Sequence, residues 1–333
     1  MCDFVRLVFI ITSDVFIFIL FIRFAGWFIP SAILAPPWLL FIKYKFSGCD
    51  KSRLMLDGEV YVSSDRRFTV KKRCCSSKLS MVSWRSVVLT QCQQERRINM
   101  FEEIRDRVLR ANLALAEHGL VTLTWGNVSE IDRNEGIIAI KPSGVKYETM
   151  RAEDIVILDP DGKKIDGNMN PSSDTPTHVE LYKSFPSVGA VVHTHSKWAT
   201  VFARCAMPIQ PLGTTHADTF FGEIPCTRKL TEEEIFSDYE RETGKAIAGL
   251  FTDETARQIP AALVCSHGPF CWGGNAQKAV ENAVIPENTA VMAWHTLMMK
   301  SGVEFQKALL EKHFSRKHGK SAYYGQTEEI KLL

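Results

Sequence analysis

The run Val191-Val192-His193-Thr194-His195 sets two imidazoles two residues apart at the end of a short apolar, β-rich stretch. On a strand, residues i and i+2 project to the same face, so both rings could reach one cation. A third imidazole, His267, follows the apolar run Ala262 to Cys265 in Ser266-His267-Gly268-Pro269, where an adjacent strand end could deliver it to the same point. Three nitrogen ligands with a carboxylate or an open position form the donor set of a catalytic zinc-like centre. A His-x-His pair also occurs as two hydrogen-bonded imidazoles with no metal, and the pair alone does not separate these readings.

Two small polar loops suit a phosphate: Lys141-Pro142-Ser143-Gly144 and Pro171-Ser172-Ser173-Asp174-Thr175-Pro176. Thr175 before Pro176 reads as an N-cap with proline at the first helical position, so backbone amides and the hydroxyls of Ser172 and Ser173 would face an anion there. Each loop taken singly also reads as an ordinary turn. No G-x-G-x-x-G occurs, and Gly319-Lys320-Ser321 lacks the upstream glycine of a P-loop, so dinucleotide binding and nucleotide hydrolysis find no support.

The elements that must position these groups begin with an amphipathic helix over Phe101 to Glu117, where Ile104, Val108, Ala111 and Leu115 recur at helical spacing before His118-Gly119 ends it. Strands are expected at Gly136 to Lys141, Ile155 to Leu158, Ala190 to His193 and Ala262 to Cys265. Helices are expected at Pro176 to Lys183, Lys197 to Ala206, Thr231 to Leu250, Ala276 to Met299 and Val303 to His318, with Pro286 kinking or splitting the longest. Helices flanking one sheet make the fold class α/β or α+β, most simply a layered sandwich.

Charge divides the chain at Met100: 15 Lys and Arg against 7 Asp and Glu lie before it, 25 against 31 after it. All nine histidines lie in the second part, so the chemistry sits there, and its mild acidity gives no footing for nucleic acid. Its four cysteines, Cys205, Cys226, Cys265 and Cys271, form no Cys-x-x-Cys pair and suit buried thiols in a reducing cytosol. The first 99 residues are hydrophobic and then basic. Pro30, Pro36 and Pro37, with Asp14 and Arg23, spoil a membrane-spanning helix, and Asp3 spoils a signal peptide. Lys51 to Asn99 keeps no sustained period. The reading is a mis-assigned start or disordered arm over 1–99, with translation beginning at Met100. The alternative is a membrane-tethered, non-catalytic binding module.

Several runs together resemble one family: Leu123-Thr124-Trp125-Gly126-Asn127-Val128-Ser129, Lys141 to Val145, Pro171 to His178, His193-Thr194-His195, Gly213-Thr214-Thr215-His216-Ala217-Asp218, Ser266 to Phe270, and Arg316-Lys317-His318-Gly319. In that order, over Met100 to about Gln326, they resemble the class II aldolase/epimerase family. The resemblance implies a layered α/β/α sandwich with a central, mainly antiparallel β-sheet over 100–326, and a loose tail over 327–333. It implies that Asp174, His193, His195 and His267 hold a divalent ion, zinc as a rule and manganese or another ion as the alternative. It implies that Asn127, Lys141, Ser143, Gly144, Ser172, Ser173 and Thr214 surround a sugar phosphate.

An aspartate at 174, where family aldolases carry a glutamate base, resembles the epimerase branch. The implied reaction is C4 epimerisation of L-ribulose 5-phosphate to D-xylulose 5-phosphate, with a sibling class II sugar-phosphate aldolase as the alternative. Asp218 and Tyr324, with His313, are the implied proton-handling groups, supplied across subunit boundaries of a cytoplasmic homotetramer. Tyr323 is the packing tyrosine of the pair. Arabinose and ascorbate breakdown both fit such an activity. The run Ala283-Val284-Ile285-Pro286-Glu287-Asn288 departs from the family's uninterrupted helix with paired glutamates.

Overall fold

The structure, a computed structural model, describes residues 5–11, 16–22, 40–50, 53–62, 66–73, 100–318, 322 and 323. The chain divides into two units, Met1–Gln91 and Cys92–Leu333. In the first, β1 (Val5–Ile11) pairs antiparallel with β2 (Phe16–Ile22), and β3 (Leu40–Asp50), β4 (Arg53–Val62) and β5 (Arg66–Arg73) form an antiparallel meander. The absence of a period over Lys51 to Asn99 did not announce β4 and β5. Among the described residues no helix is long and apolar enough to cross a membrane.

The second unit opens with α1, residues 100–117, whose Ile104, Val108, Ala111 and Leu115 are all buried as the spacing requires. Its strands are β6 (Asn127–Asp132), β7 (Ile137–Ile140), β8 (Val156–Leu158), β9 (Lys164–Asp166), β10 (Ala190–His193), β11 (Ala261–Leu263) and β12 (Pro269–Gly273). They form one antiparallel sheet in the order β11-β12-β10-β6-β7-β8-β9. Its helices are α2 (Thr175–Ser184), α3 (Lys197–Arg204), α4 (Thr214–Ala217), α5 (Glu232–Phe236), α6 (Tyr239–Ala248), α7 (Asp253–Gln258), α8 (Ala276–Met299) and α9 (Lys307–His318).

Strand alternation sorts the core into two layers. Ala190, Val192, Cys271, Ala261 and Leu263 meet α1, α3 and α8, while Val191, Phe270, Trp272, Ala262, Ile138 and Leu158 meet α2, α6 and α7. Phe101, Ile104 and Val108 extend the first layer over Ile137, Ala139 and Ile157. This is the expected α/β/α sandwich. Each large apolar side chain buried in it contributes about 1.5–3 kcal/mol relative to exposure.

The expected helix over Thr231 to Leu250 is two, α5 and α6, broken at Ser237 and Asp238. The longest helix is not split: α8 runs through Pro286 as one element of 24 residues. A proline within a helix costs about 3 kcal/mol, and here the buried Ala279, Val280, Ala283, Ala290 and Ala293 on either side anchor the helix to one layer. Thr289 Oγ1 donates to the Ile285 carbonyl at 2.9 Å beside the interruption.

Candidate metal centre

β10 lies between β6 and β12, and its last residue pairs with Asn127 on one side and Phe270 on the other. One row across three strands therefore carries Asn127, His193 and Phe270. The Phe270 ring stacks on His193 with centroids 4.1 Å apart. His193 Nδ1 lies 3.0 Å from the Pro269 carbonyl oxygen. Only an N–H can donate to a carbonyl, so Nδ1 carries the proton and Nε2 is left free.

His195 continues from β10, and His267 sits in the turn between β11 and β12. Candidate ligand atoms of His193, His195 and His267 all fall within 4.8 Å of one another. Two glycines allow this approach. A Cβ on Gly268 would meet the Thr194 carbonyl oxygen at 2.6 Å, and one on Gly126, at φ +78°, would meet the His193 carbonyl oxygen at 2.9 Å. The Tyr239 hydroxyl, at the start of α6, is 3.2 Å from His267 Nδ1.

Burial holds all three rings below the ordinary histidine range, His193 at about 3. They are neutral at pH 7 and keep lone pairs for a cation. The donor set thus fits a divalent ion: neutral nitrogens converge, and the exposed His195 leaves an approach from solvent.

Asp174 stands outside that group of three. Its Oδ2 accepts from Asn127 Nδ2 at 2.6 Å. Desolvation acts to raise its pKa, yet the fields of His193 and His178 and the Asn127 bond leave it lowered. It is also the N-cap of α2, so the expected Thr175 cap is off by one residue. Thr175 is already helical, and its hydroxyl donates to the Ser172 carbonyl at 2.6 Å instead.

The two polar loops are tied together. Pro142 bridges Pro171, Ser172 N–H donates to the Lys141 carbonyl at 3.0 Å, and Ser143 N–H donates to the Asn170 carbonyl at 3.0 Å. Asn127 Nδ2 donates to Ser172 Oγ at 3.0 Å, which joins the loops to the strand row that carries His193. Ser143, Gly144 and Ser173 are exposed. Lys141 is buried, its Nζ donating to the Thr124 carbonyl at 3.1 Å and lying 4.9 Å from the Tyr147 ring centre. Burial lowers its pKa to about 8 against the pull of Asp174.

Thr214 opens α4, and Asp218 caps its end. Residues of α9 in the same chain surround the Asp218 carboxylate: His313 Nδ1 at 2.9 Å, Arg316 Nη2 at 2.7 Å and Lys317 Nζ at 3.6 Å. Desolvation opposes ionisation there, but the bonds from Arg316 and His313 hold Asp218 below its usual range. Tyr324 lies outside the described residues. Tyr323 is 65% exposed, with Lys312 Nζ over its ring at 5.4 Å, and so is not a core packing residue. The four thiols are free as expected, but only Cys271 is buried, and Cys205 is exposed.

Sequence reading missed Asn112, whose side chain bonds both the N–H and the carbonyl of Val128 and so fixes β6 beside Asn127. It also missed Tyr239 and Phe270 as neighbours of the centre, and Glu287 as the acceptor for the first turn of α3. His178 closes the run Pro171 to His178 and had no expected role. Its ring is fully buried, with Nδ1 2.7 Å from Ser129 Oγ.

Comparison with known proteins places this geometry. The profile of the Class II Aldolase and Adducin N-terminal domain matches residues 106–294. The chain belongs to the class II aldolase family. Among class II aldolase relatives, the L-ribulose-5-phosphate 4-epimerases UlaF of Salmonella paratyphi A and of Salmonella typhi are each 51% identical over 226 residues, 68% of this chain and 99% of theirs. A solved L-fuculose 1-phosphate aldolase superposes with TM-score 0.56 at 22% identity, covering 64% of this chain and 95% of its own, and carries the shared fold alone. The family resemblance and the mainly antiparallel sandwich are both borne out.

Proposed function

We propose that this chain is a metal-dependent L-ribulose-5-phosphate 4-epimerase. The observation that carries the reading is 51% identity spanning 99% of the length of proteins with that activity. The three converging imidazoles supply the chemistry it requires.

The C4 hydrogen of a 2-ketopentose phosphate is not adjacent to the carbonyl and is not acidic, so proton abstraction cannot invert that carbon. Cleavage of C3–C4, rotation of the aldehyde fragment and re-addition to its other face can. A divalent ion held by His193, His195, His267 and Asp174 supplies Lewis-acid stabilisation of the charge that develops on the ketose oxygens. Zinc is the proposed occupant, with manganese or another divalent ion as substitute.

Lys141, Asn127, Ser143, Gly144, Ser172, Ser173 and Thr214 hold the phosphate, which retains the fragment while it turns. Original and inverted alkoxides lie on opposite faces, so two proton-handling groups are needed. Asp218 and Tyr324 take these roles, with His313 orienting Asp218. The catalytic domain spans 100–326 and assembles as a cytoplasmic homotetramer whose sites lie at subunit boundaries.

Metal-loaded full-length protein supplied with L-ribulose 5-phosphate is expected to form D-xylulose 5-phosphate without releasing free aldehyde. Accumulation of glycolaldehyde phosphate would make it an aldolase instead, and no turnover of either kind would remove the enzymatic reading.

A further inference from the structure

α3 starts two residues after His195, so the backbone that leaves the metal-binding segment becomes the first turn of a helix. The opening amides of a helix have no partner within it and need acceptors. Ser196 occupies the N-cap, but its side chain accepts none of them, and its Oγ is buried without a hydrogen-bond partner. The acceptor comes from α8. Both Glu287 carboxylate oxygens receive the Trp198 N–H at 3.0 Å, and Oε2 also receives the Ala199 N–H at 3.0 Å. These are the second and third helical amides, the ones an N-cap side chain would normally satisfy.

Of the three imidazoles, His195 has the least support of its own. Pro269 holds the His193 ring and Tyr239 meets the His267 ring, while His195 is exposed and no hydrogen bond to its ring is seen among the described residues. Beyond the tilted Trp125 ring, whose centre is 6.0 Å away, its place is set by the backbone on either side: β10 before it and the first turn of α3 after it. The second of these anchors ends at Glu287. A negative charge at a helix N-terminus also interacts favourably with the helix dipole, so the contact favours the carboxylate over a neutral acceptor.

We propose that Glu287 is a positioning residue for the metal centre, holding the first turn of α3 so that His195 stays in register with His193 and His267. This inference rests on reading those three histidines as a metal centre. Glu287 does not touch the ion; it acts through the backbone.

The test is metal affinity in the full chain, stripped with a chelator and titrated with Zn2+ against a chromophoric competitor, with Co2+ as a spectroscopic probe. Glu287→Ala is expected to bind Zn2+ about 10-fold more weakly or worse, the range seen when support behind a ligand is removed. Its Co2+ ligand-field spectrum should change, and metal should raise its melting temperature less than that of the wild type. Glu287→Gln, which keeps one carbonyl acceptor, should recover part of the affinity.

A cap serving stability alone would lower the melting temperature of the stripped protein and leave Zn2+ affinity within about twofold and the Co2+ spectrum unchanged, and that result overturns the proposal. Should Glu287→Ala fail to fold, Glu287→Gln decides: about threefold weaker binding supports the role, and wild-type affinity overturns it. Wild-type protein that binds neither ion would sink the metal centre itself, which is a separate failure.

Discussion

His193 and Asp218 are both assigned to chemistry, but backbone register places the first and side-chain ion pairs place the second. His193 sits in a three-strand row between Asn127 and Phe270, and two glycines without Cβ let the neighbouring turns close on it. Asp218 follows the four-residue helix α4 and is gripped by His313, Arg316 and Lys317 of α9. Moving His193 means unpairing a sheet. Releasing Asp218 takes the parting of partly buried side-chain contacts, with no strand to unpair. The difference teaches that, on the proposed assignment, the ion site is built into the sheet, whereas the proton-handling group is held by side chains of another helix and can adjust.

The largest expected effect breaks the rigid side of this comparison. His193→Ala should lose bound metal and reduce turnover about 10^3-fold or more, since stabilisation of the developing charge goes with the ion. Metal analysis beside a steady-state assay checks it, and unimpaired metal content with full turnover removes His193 from the site.

Next, Asp218→Asn should keep its metal while epimerisation falls about 10^2- to 10^4-fold, the range for a positioned acid or base. Loss of metal in that variant would show that the two regions do not separate.

Lys141→Met should raise KM by about 10- to 100-fold through loss of a charge-assisted contact to phosphate, with kcat less affected. In the wild type the Lys141 ammonium is charged below about 8 and neutral above it. KM should therefore rise as pH climbs through that value, and Lys141→Met should lack this dependence.

The smallest effect sharpens the adjustable side. Arg316→Met removes the three hydrogen bonds, one from Nε and two from Nη2, that help keep Asp218 ionised. The Asp218 pKa should move up, so the ionised base is lost at a higher pH and the acid limb of kcat/KM shifts upward. Metal content should not change. An unmoved limb would show that Asp218 does not govern it.

The parts legible in the sequence were those whose cause is local. β10 and α8 were bounded correctly because apolar periodicity and clear ends marked them. The strand β6 went unseen because Asn127-Val128-Ser129-Glu130 mixes polar residues into the sheet. They are tolerated because Ser129 meets His178 and Tyr182, and Glu130 accepts from Arg107 and from the Ala276 amide. β12 begins with a proline and takes its register from β10 rather than from its own pattern.

At the site, the imidazoles were legible because a spacing of two at a strand end turns side chains the same way, and His195 keeps that direction although β10 itself ends at His193. Tyr239 and Glu287 were not, since their contacts join residues 28 and 89 positions apart and nothing in the local pattern records them. Pro286 misled for the converse reason: the local rule breaks a helix, and burial of the flanking alanines against the sheet layer outweighs it.

The most direct test is X-ray absorption at the zinc edge on the full chain loaded with one equivalent of Zn2+. A shell of nitrogen and oxygen ligands at about 2.0–2.1 Å, with outer-shell scattering from three imidazoles that falls to two in His267→Ala, is the predicted result. Zinc bound without imidazole scattering, or a His267→Ala spectrum identical to that of the wild type, would contradict it.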